Sequence, residues 1–190
     1  MGILEDIREY KPYNEHEEKD KEIIIRCLEN EPDIFSRDNK LVHITSSAWI
    51  TNKDHTKILM AYHNIYNSFS WLGGHNDGNE NCLEVAIKEA KEESGISNIK
   101  ALSDKIFSLE VLTVDGHIKK GEYVSSHIHL NVTYLLEADD EEELKVKEDE
   151  NSAVKWFLKD EAVMASNEPW FRENVYSKLN QKLEEFYENN

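Results

Sequence analysis

The apolar positions of this chain change period four times, and the changes mark out its elements. Ile23, Ile24, Cys27 and Leu28 recur at helical spacing within 15–30, and residues 3–10 form a shorter helix before them. Pro32 and Asp33 break that pattern. Runs rich in β-branched and aromatic residues follow at 41–50, 57–63 and 68–72, with Asn52, Lys53 and Asp54 turning between the first two. From about 80 to 94 the period returns to helical, with Leu83, Ala86, Ile87 and Ala90 on one stripe and Gly95 as a C-terminal stop. Strands are predicted at 105–114, 124–136 and 153–158, with Gly116 and Gly121 in the loop joining the first two. Val175, Leu179, Leu183 and Phe186 then predict a C-terminal helix over about 168–188, with Pro169 near its start. The order α-α-β-β-β-α-β-β-β-α predicts an α/β or α+β sandwich built on a mixed sheet flanked by helices. No repeat or flexible linker divides the chain, so 1–190 reads as a single domain. Its core spans about 40–160, with a helical N-terminal extension (1–35) and the C-terminal helix as additions.

Charge narrows the possible partners. Lys and Arg number 22 against 39 Asp and Glu, a formal net charge of −17. That balance argues against a surface that grips a nucleic-acid backbone and against a polybasic membrane patch. Phosphorylated small molecules remain possible partners, because a divalent cation inverts the local field. No apolar run is long enough to cross a membrane, and MGILEDIREYKPYNEHEEKD lacks a secretory signal's basic start and apolar stretch. Cys27 and Cys82 match no zinc or disulfide pattern. The expectation is a cytoplasmic protein. The run EADDEEELKVKEDE (137–150) reads mainly as a solvated loop, with one or two carboxylates available for other tasks.

The chemistry concentrates in GGHNDGNENCLEVAIKEAKEESGI (73–96). A Gly-Gly turn ends a strand and leads through a polar loop into a helix, a geometry that lets backbone approach a ligand closely. On that helix Glu89, Glu92 and Glu93 stand at i, i+3 and i+4 and share a face apart from the apolar stripe. A hard divalent cation would remove the repulsion between them, since Mg²⁺ and Mn²⁺ prefer oxygen ligands. An ordinary acidic solvated face is the alternative that spacing alone leaves open.

The stretch is similar to the Nudix box, G-x5-E-x7-R-E-U-x-E-E-x-G-U, where U is a bulky aliphatic. Gly74, Glu80, Glu89, Glu92, Glu93, Gly95 and Ile96 hold their pattern positions with every spacing intact. Lys88 stands where the family has Arg, and Ala90 where it has a larger aliphatic. The resemblance implies a Nudix-type α/β/α sandwich with a mixed β-sheet and a metal-dependent hydrolysis of a nucleoside diphosphate linked to another group. It implies Glu89, Glu92 and Glu93 as ligands of Mg²⁺ or Mn²⁺, with the Gly74 carbonyl as a further ligand and Glu80 as an outer contributor. The box Arg orients a catalytic Glu; Lys88 keeps the charge but loses the planar fork, so it holds one carboxylate oxygen rather than a bidentate pair.

A carboxylate must take the proton of the attacking water. Glu92 or Glu93 could serve. Related enzymes often use instead an acidic residue on a loop before a late strand containing Trp, which here makes Glu150 the candidate and Glu148 the neighbour to test next. His127, His129 and Asn131 alternate on one strand face, where imidazoles could contact substrate, make structural hydrogen bonds, or bind zinc if a third ligand existed. His75 follows Gly74 and would sit near the phosphates, whereas His43 and His63 read as structural. Trp49, Trp71 and Trp156 read as core. HITSSAWI, WLGGHNDG and HIHLN together resemble a loosely defined bacterial Nudix group whose substrate is uncharacterised. The function expected is a pyrophosphatase acting on a small-molecule nucleotide-diphosphate substrate, with nucleoside triphosphates and nucleotide sugars such as ADP-ribose ranked equally. The rival is a Nudix-like binding or sensor domain without catalysis. A homodimer is expected on the resemblance alone.

Overall fold

The computed structural model describes residues 2–119, 121–147 and 151–188. Helices α1 (Ile3–Glu9) and α2 (Glu15–Asn30) lead into β1 (Val42–Thr51), β2 (Lys57–His63), β3 (Ser68–Ser70) and β4 (Leu72–His75). Helix α3 (Cys82–Ser94) and β5 (Ile99–Ala101) follow, then β6 (Ser108–Val114), the hairpin β7 (His117–Lys119) and β8 (Glu122–Val124), and β9 (His127–Ala138). The chain ends with β10 (Asn151–Leu158), α4 (Lys159–Ala165), α5 (Pro169–Phe171), a π-helical turn at Arg172–Tyr176 and α6 (Ser177–Glu188). Among the described residues no helix is long and apolar enough to cross a membrane.

The fold is the α/β sandwich expected. Its centre is the parallel pair β1 and β9, on opposite ends of the core sequence. Antiparallel β2 and β4 extend the sheet beyond β1, and β10 and β3 pair with β2. On the other side, β5 and β6 both pair antiparallel with β9. All ten residues of β1 are buried, as a strand covered on both faces must be. Ile44, Ala48 and Ile50 pack with Ile24 of α2 and Ala86 and Ala90 of α3. Trp49 points to the opposite layer, among Ala162 of α4, Val175, Tyr176, and Leu179 and Leu183 of α6.

Several short elements escaped the sequence reading. β5, the β7–β8 hairpin and α4 are three to seven residues long, too short for a period to register. The strand expected over 68–72 is interrupted at Trp71, and the chain re-pairs with β1 as β4. Part of the acidic run is structural. Glu142 accepts from the Ser97 amide and hydroxyl (both 3.0 Å), and the Lys145 amide donates to the last-turn carbonyl of Ser94 (2.8 Å).

The terminal helices are joined to the sheet by buried charge. Glu17 of α2, fully buried, accepts from Lys178 (2.9 Å) and Lys182 (3.0 Å) of α6 and from the Ser108 hydroxyl of β6 (2.7 Å). Burial alone would raise the Glu17 carboxyl; Lys178, Lys182, the Tyr10 hydroxyl and the Tyr13 amide outweigh it and hold it at about 2, against an ordinary 4.5. A folded-state pKa below the unfolded one gives stability that is complete above about 4.5 and lost as pH falls toward 2. Denaturant midpoints measured across that window should fall with acidification, by at most about 1.4 kcal/mol per pH unit from this one group. Glu17→Gln should start less stable and show a flatter profile. Equal slopes in both proteins would remove Glu17 from the acid response.

Candidate active site

Helix α3 is set by local chemistry. The Asn81 side chain caps its start, accepting from the Glu84 amide (3.2 Å), and Gly95 ends it at φ 73° with its amide on the Lys91 carbonyl (2.9 Å). Its carboxylates meet the Gly73–Gly74 backbone of β4. A Cβ on Gly74 would stand 2.7 Å from the Glu89 carboxyl carbon, so only glycine lets Glu89 lie against that strand. Glu93 goes deeper: the Gly73 amide donates to its Oε2 (2.9 Å) and the Asn151 side chain to its Oε1 (2.9 Å). The three box carboxylates therefore differ. Glu93 is buried, Glu89 is nearly so, and the Glu92 side chain remains 43% exposed. Spacing put all three on one polar face; Glu93 instead turns to the buried side, because two donors wait there.

Ammonium groups close the acidic face. Lys88 lies 3.0 Å from Glu89 and 3.3 Å from Glu92, one oxygen each, the single-point contact expected of Lys in place of Arg. Lys147 adds a second cation, 3.5 Å from Glu92 and 4.0 Å from Glu89. It comes from the far end of the acidic run, where nothing in the sequence marked it.

A cleft of about 350 Å³ opens beside this face. Gly74, Glu89, Glu92, Glu93, His75, His129 and Asn131 line it, and Trp71, Phe171 and Tyr176 form an aromatic side. Trp71 meets Phe171 and Tyr176 edge-on, at 6.3 and 5.8 Å between ring centres. It is thus half-buried in a cleft wall rather than core like Trp49. Glu80 is exposed in the loop before α3. Glu148 and Glu150 lie outside the described residues. Asn151, next in the chain, is the partner the sequence did not reveal.

Behind the histidines the polar face of the sheet is satisfied internally. Asn131 accepts from the hydroxyls of Thr45 (3.0 Å) and Ser47 (2.8 Å) and donates to Glu110 (2.9 Å), a chain of bonds from the cleft to the buried charges of α6. His127 is not among the cleft's lining; its ring packs behind His129, with 3.0 Å between their Nε2 atoms. His43, read as structural, stacks on His127 and faces His75 and His129. Burial drives the imidazolium forms out: His75 falls to about 2 and His129 to about 3, each pushed further by neighbouring histidines. His43 is lowered by the same cause. All three rings are neutral at physiological pH.

The family model described as NUDIX domain matches residues 41–179, from β1 into α6. This chain belongs to the Nudix family. Solved structures agree on the architecture. An Ap4A hydrolase from C. elegans, in a binary complex, is 18% identical at a TM-score of 0.57, covering 77% of this chain and 98% of its own. A NUDIX-family hydrolase from Clostridium perfringens is 25% identical (TM-score 0.52), covering 76% and 97%. The E. coli dihydroneopterin triphosphate pyrophosphohydrolase is 16% identical (TM-score 0.51), covering 77% and 96%. No curated protein matches the sequence. The Nudix match includes part of α6 and starts after α1 and α2, so the N-terminal helices fall outside it.

Proposed function

We propose that this Nudix protein hydrolyses a diphosphate bond in a nucleotide or nucleotide-like metabolite, using Mg²⁺ or Mn²⁺ held by Glu89, Glu92, Glu93 and the Gly74 carbonyl. One observation carries the reading: Glu89 and Glu92 lie close enough to share two ammonium groups at the wall of the cleft. The residues fit a hard divalent ion, because the donors are carboxylate oxygens already converging on positive charge. Such an ion supplies neutralisation of the diphosphate and an acidified water.

The chain's own groups supply the rest. Glu93, fixed by Gly73 and Asn151, is a preorganised carboxylate. Glu92, the most exposed of the three, is the better-placed proton acceptor among the described residues, since it can reach water. Lys88 restrains Glu89 and Glu92. The aromatic side formed by Trp71 and Phe171 suits a flat ring attached to the diphosphate. The names of the structural neighbours, Ap4A and dihydroneopterin triphosphate hydrolases, are compatible with either a nucleoside triphosphate or a longer nucleotide conjugate.

The test is release of phosphate or nucleotide across nucleoside triphosphates, dinucleotides and nucleotide sugars, each with Mg²⁺, with Mn²⁺ and with chelator. Turnover of at least one compound that chelator abolishes is the expected result. Silence across the panel, with metal-dependent binding of one member, would make the chain a sensor.

A further inference from the structure

His43, His75 and His129 come from three separate strands, and register alone brings them together. β1 and β9 run parallel with His43 beside His129. β4, on the other side of β1, sets His75 beside Thr45, two residues along from His43. The ring centres form a nearly equilateral triangle of 4.9, 5.0 and 5.2 Å. One ring nitrogen from each lies within 4.8 Å of the other two.

Hydrogen bonds decide which nitrogens carry protons. His43 Nδ1 lies 3.0 Å from the Asn39 carbonyl, which can only accept, so Nδ1 holds the proton and Nε2 a lone pair. That Nε2 is buried without a hydrogen-bond partner, on a residue 4% exposed. His127 Nδ1 likewise donates to the Ser125 carbonyl (2.9 Å), leaving its Nε2 to accept from His129 Nε2 at 3.0 Å. The His129 proton is thereby placed on Nε2, and its Nδ1 is bare. Two of the three rings have spent their only N–H on the protein. They offer lone pairs rather than protons to anything in the cleft, which suits a Lewis acid and not a phosphate oxygen. A ligating imidazole whose far nitrogen is anchored in this way is the usual support of a metal site.

We propose that His43, His75 and His129 form a three-imidazole site for one Zn²⁺-class transition-metal ion at the wall of the cleft, beside the carboxylate face of α3 and built from different residues. Nitrogen donors without carboxylate select such an ion over Mg²⁺. Tetrahedral ligation with bonds of about 2.0–2.1 Å brings donor nitrogens to about 3.4 Å apart, a contraction that small ring rotations supply. His75 and His129 line the cleft, so the fourth position opens toward substrate or water. His127 is a positioning residue, holding the His129 ring.

The experiment reads binding, not turnover, so its outcome is independent of the hydrolysis panel. The full chain, stripped by chelator, is titrated with Co²⁺ and followed by visible absorption, then with Zn²⁺ by calorimetry, both in a large excess of Mg²⁺. One equivalent should bind with the spectrum of nitrogen ligation. His75→Ala and His43→Ala should weaken binding by at least about 10–100-fold, the loss seen even when only an orienting partner is removed. The double variant Glu89→Gln/Glu92→Gln should keep the site. Thermal melts of the metal-free variants check folding, and His75→Ala, at the cleft surface, decides the matter if the buried His43→Ala does not fold. No binding against Mg²⁺, unchanged binding in His75→Ala, or loss in the carboxylate variant would each overturn the proposal.

Discussion

Glu92→Gln should lower kcat by about 10²–10⁴-fold, the range expected for loss of a group that handles the proton, while leaving the melting temperature nearly unchanged. Its side chain is 43% exposed and its partners are two flexible lysines, so the neutral amide strands no buried group. Glu93→Gln should cost as much activity and behave differently in stability. Its carboxylate takes the Gly73 amide on one oxygen and the Asn151 side-chain amide on the other. An amide has one acceptor oxygen, so with that oxygen on Gly73 its NH₂ meets the Asn151 side chain, which must flip to accept it, and both bonds lose their charge assistance. That mismatch costs about 1–3 kcal/mol where the site is buried. Glu141→Gln, on an exposed residue of the acidic run, should change neither quantity. Steady-state kinetics with Mg²⁺ beside thermal melts separate the three. Identical behaviour in all of them would mean that the α3 face does not hold the catalytic ion.

The differing behaviour of Glu92 and Glu93 also shows where sequence legibility stops. The box spacing marks all three glutamates because one helix turn fixes their angular positions, and the Gly-Gly motif before them is local too. The depth of each carboxylate is not local. Glu93 turns inward because Asn151 arrives from a strand 58 residues later and Gly73 presents an amide, and no period in α3 reports either. Lys147 and the histidine triangle escaped for the same reason. His43 looked structural because it stands on a buried strand, and it is buried; its relation to His75 and His129 exists only in the β4–β1–β9 register. The long elements were readable because their apolar periods persist over many residues. Elements of three residues, such as β5 and β7, had no period to read.

The C-terminal helix illustrates a further limit, and it carries the largest stability effect expected. Val175, Leu179 and Leu183 predicted its apolar face correctly, yet the strongest tie is a lysine. Lys178 is 6% exposed, with its ammonium 2.9 Å from Glu17 and 3.0 Å from Glu110, both of which are buried. Burial alone would lower its pKa; Glu110 and Glu17 reverse that and raise it, so the charged form is the one the fold selects. Lys178→Met removes the only ammonium among the described residues that reaches both carboxylates. Glu17 keeps Lys182, but Glu110 is left with the neutral donors Asn131 and Thr133. Breaking one partner of a buried pair costs about 3–5 kcal/mol, roughly 6–20 °C in melting temperature for a domain of this size. Adding Glu110→Gln should recover part of the loss, since it removes the stranded charge; a surface pair would give under about 1 kcal/mol and no recovery. Because Asn131 joins Glu110 to Thr45 and Ser47 in the cleft, Lys178→Met should also raise KM without abolishing kcat. An unchanged KM alongside the stability loss would mean that the buried charges hold α2 and α6 on the sheet and do nothing for the cleft.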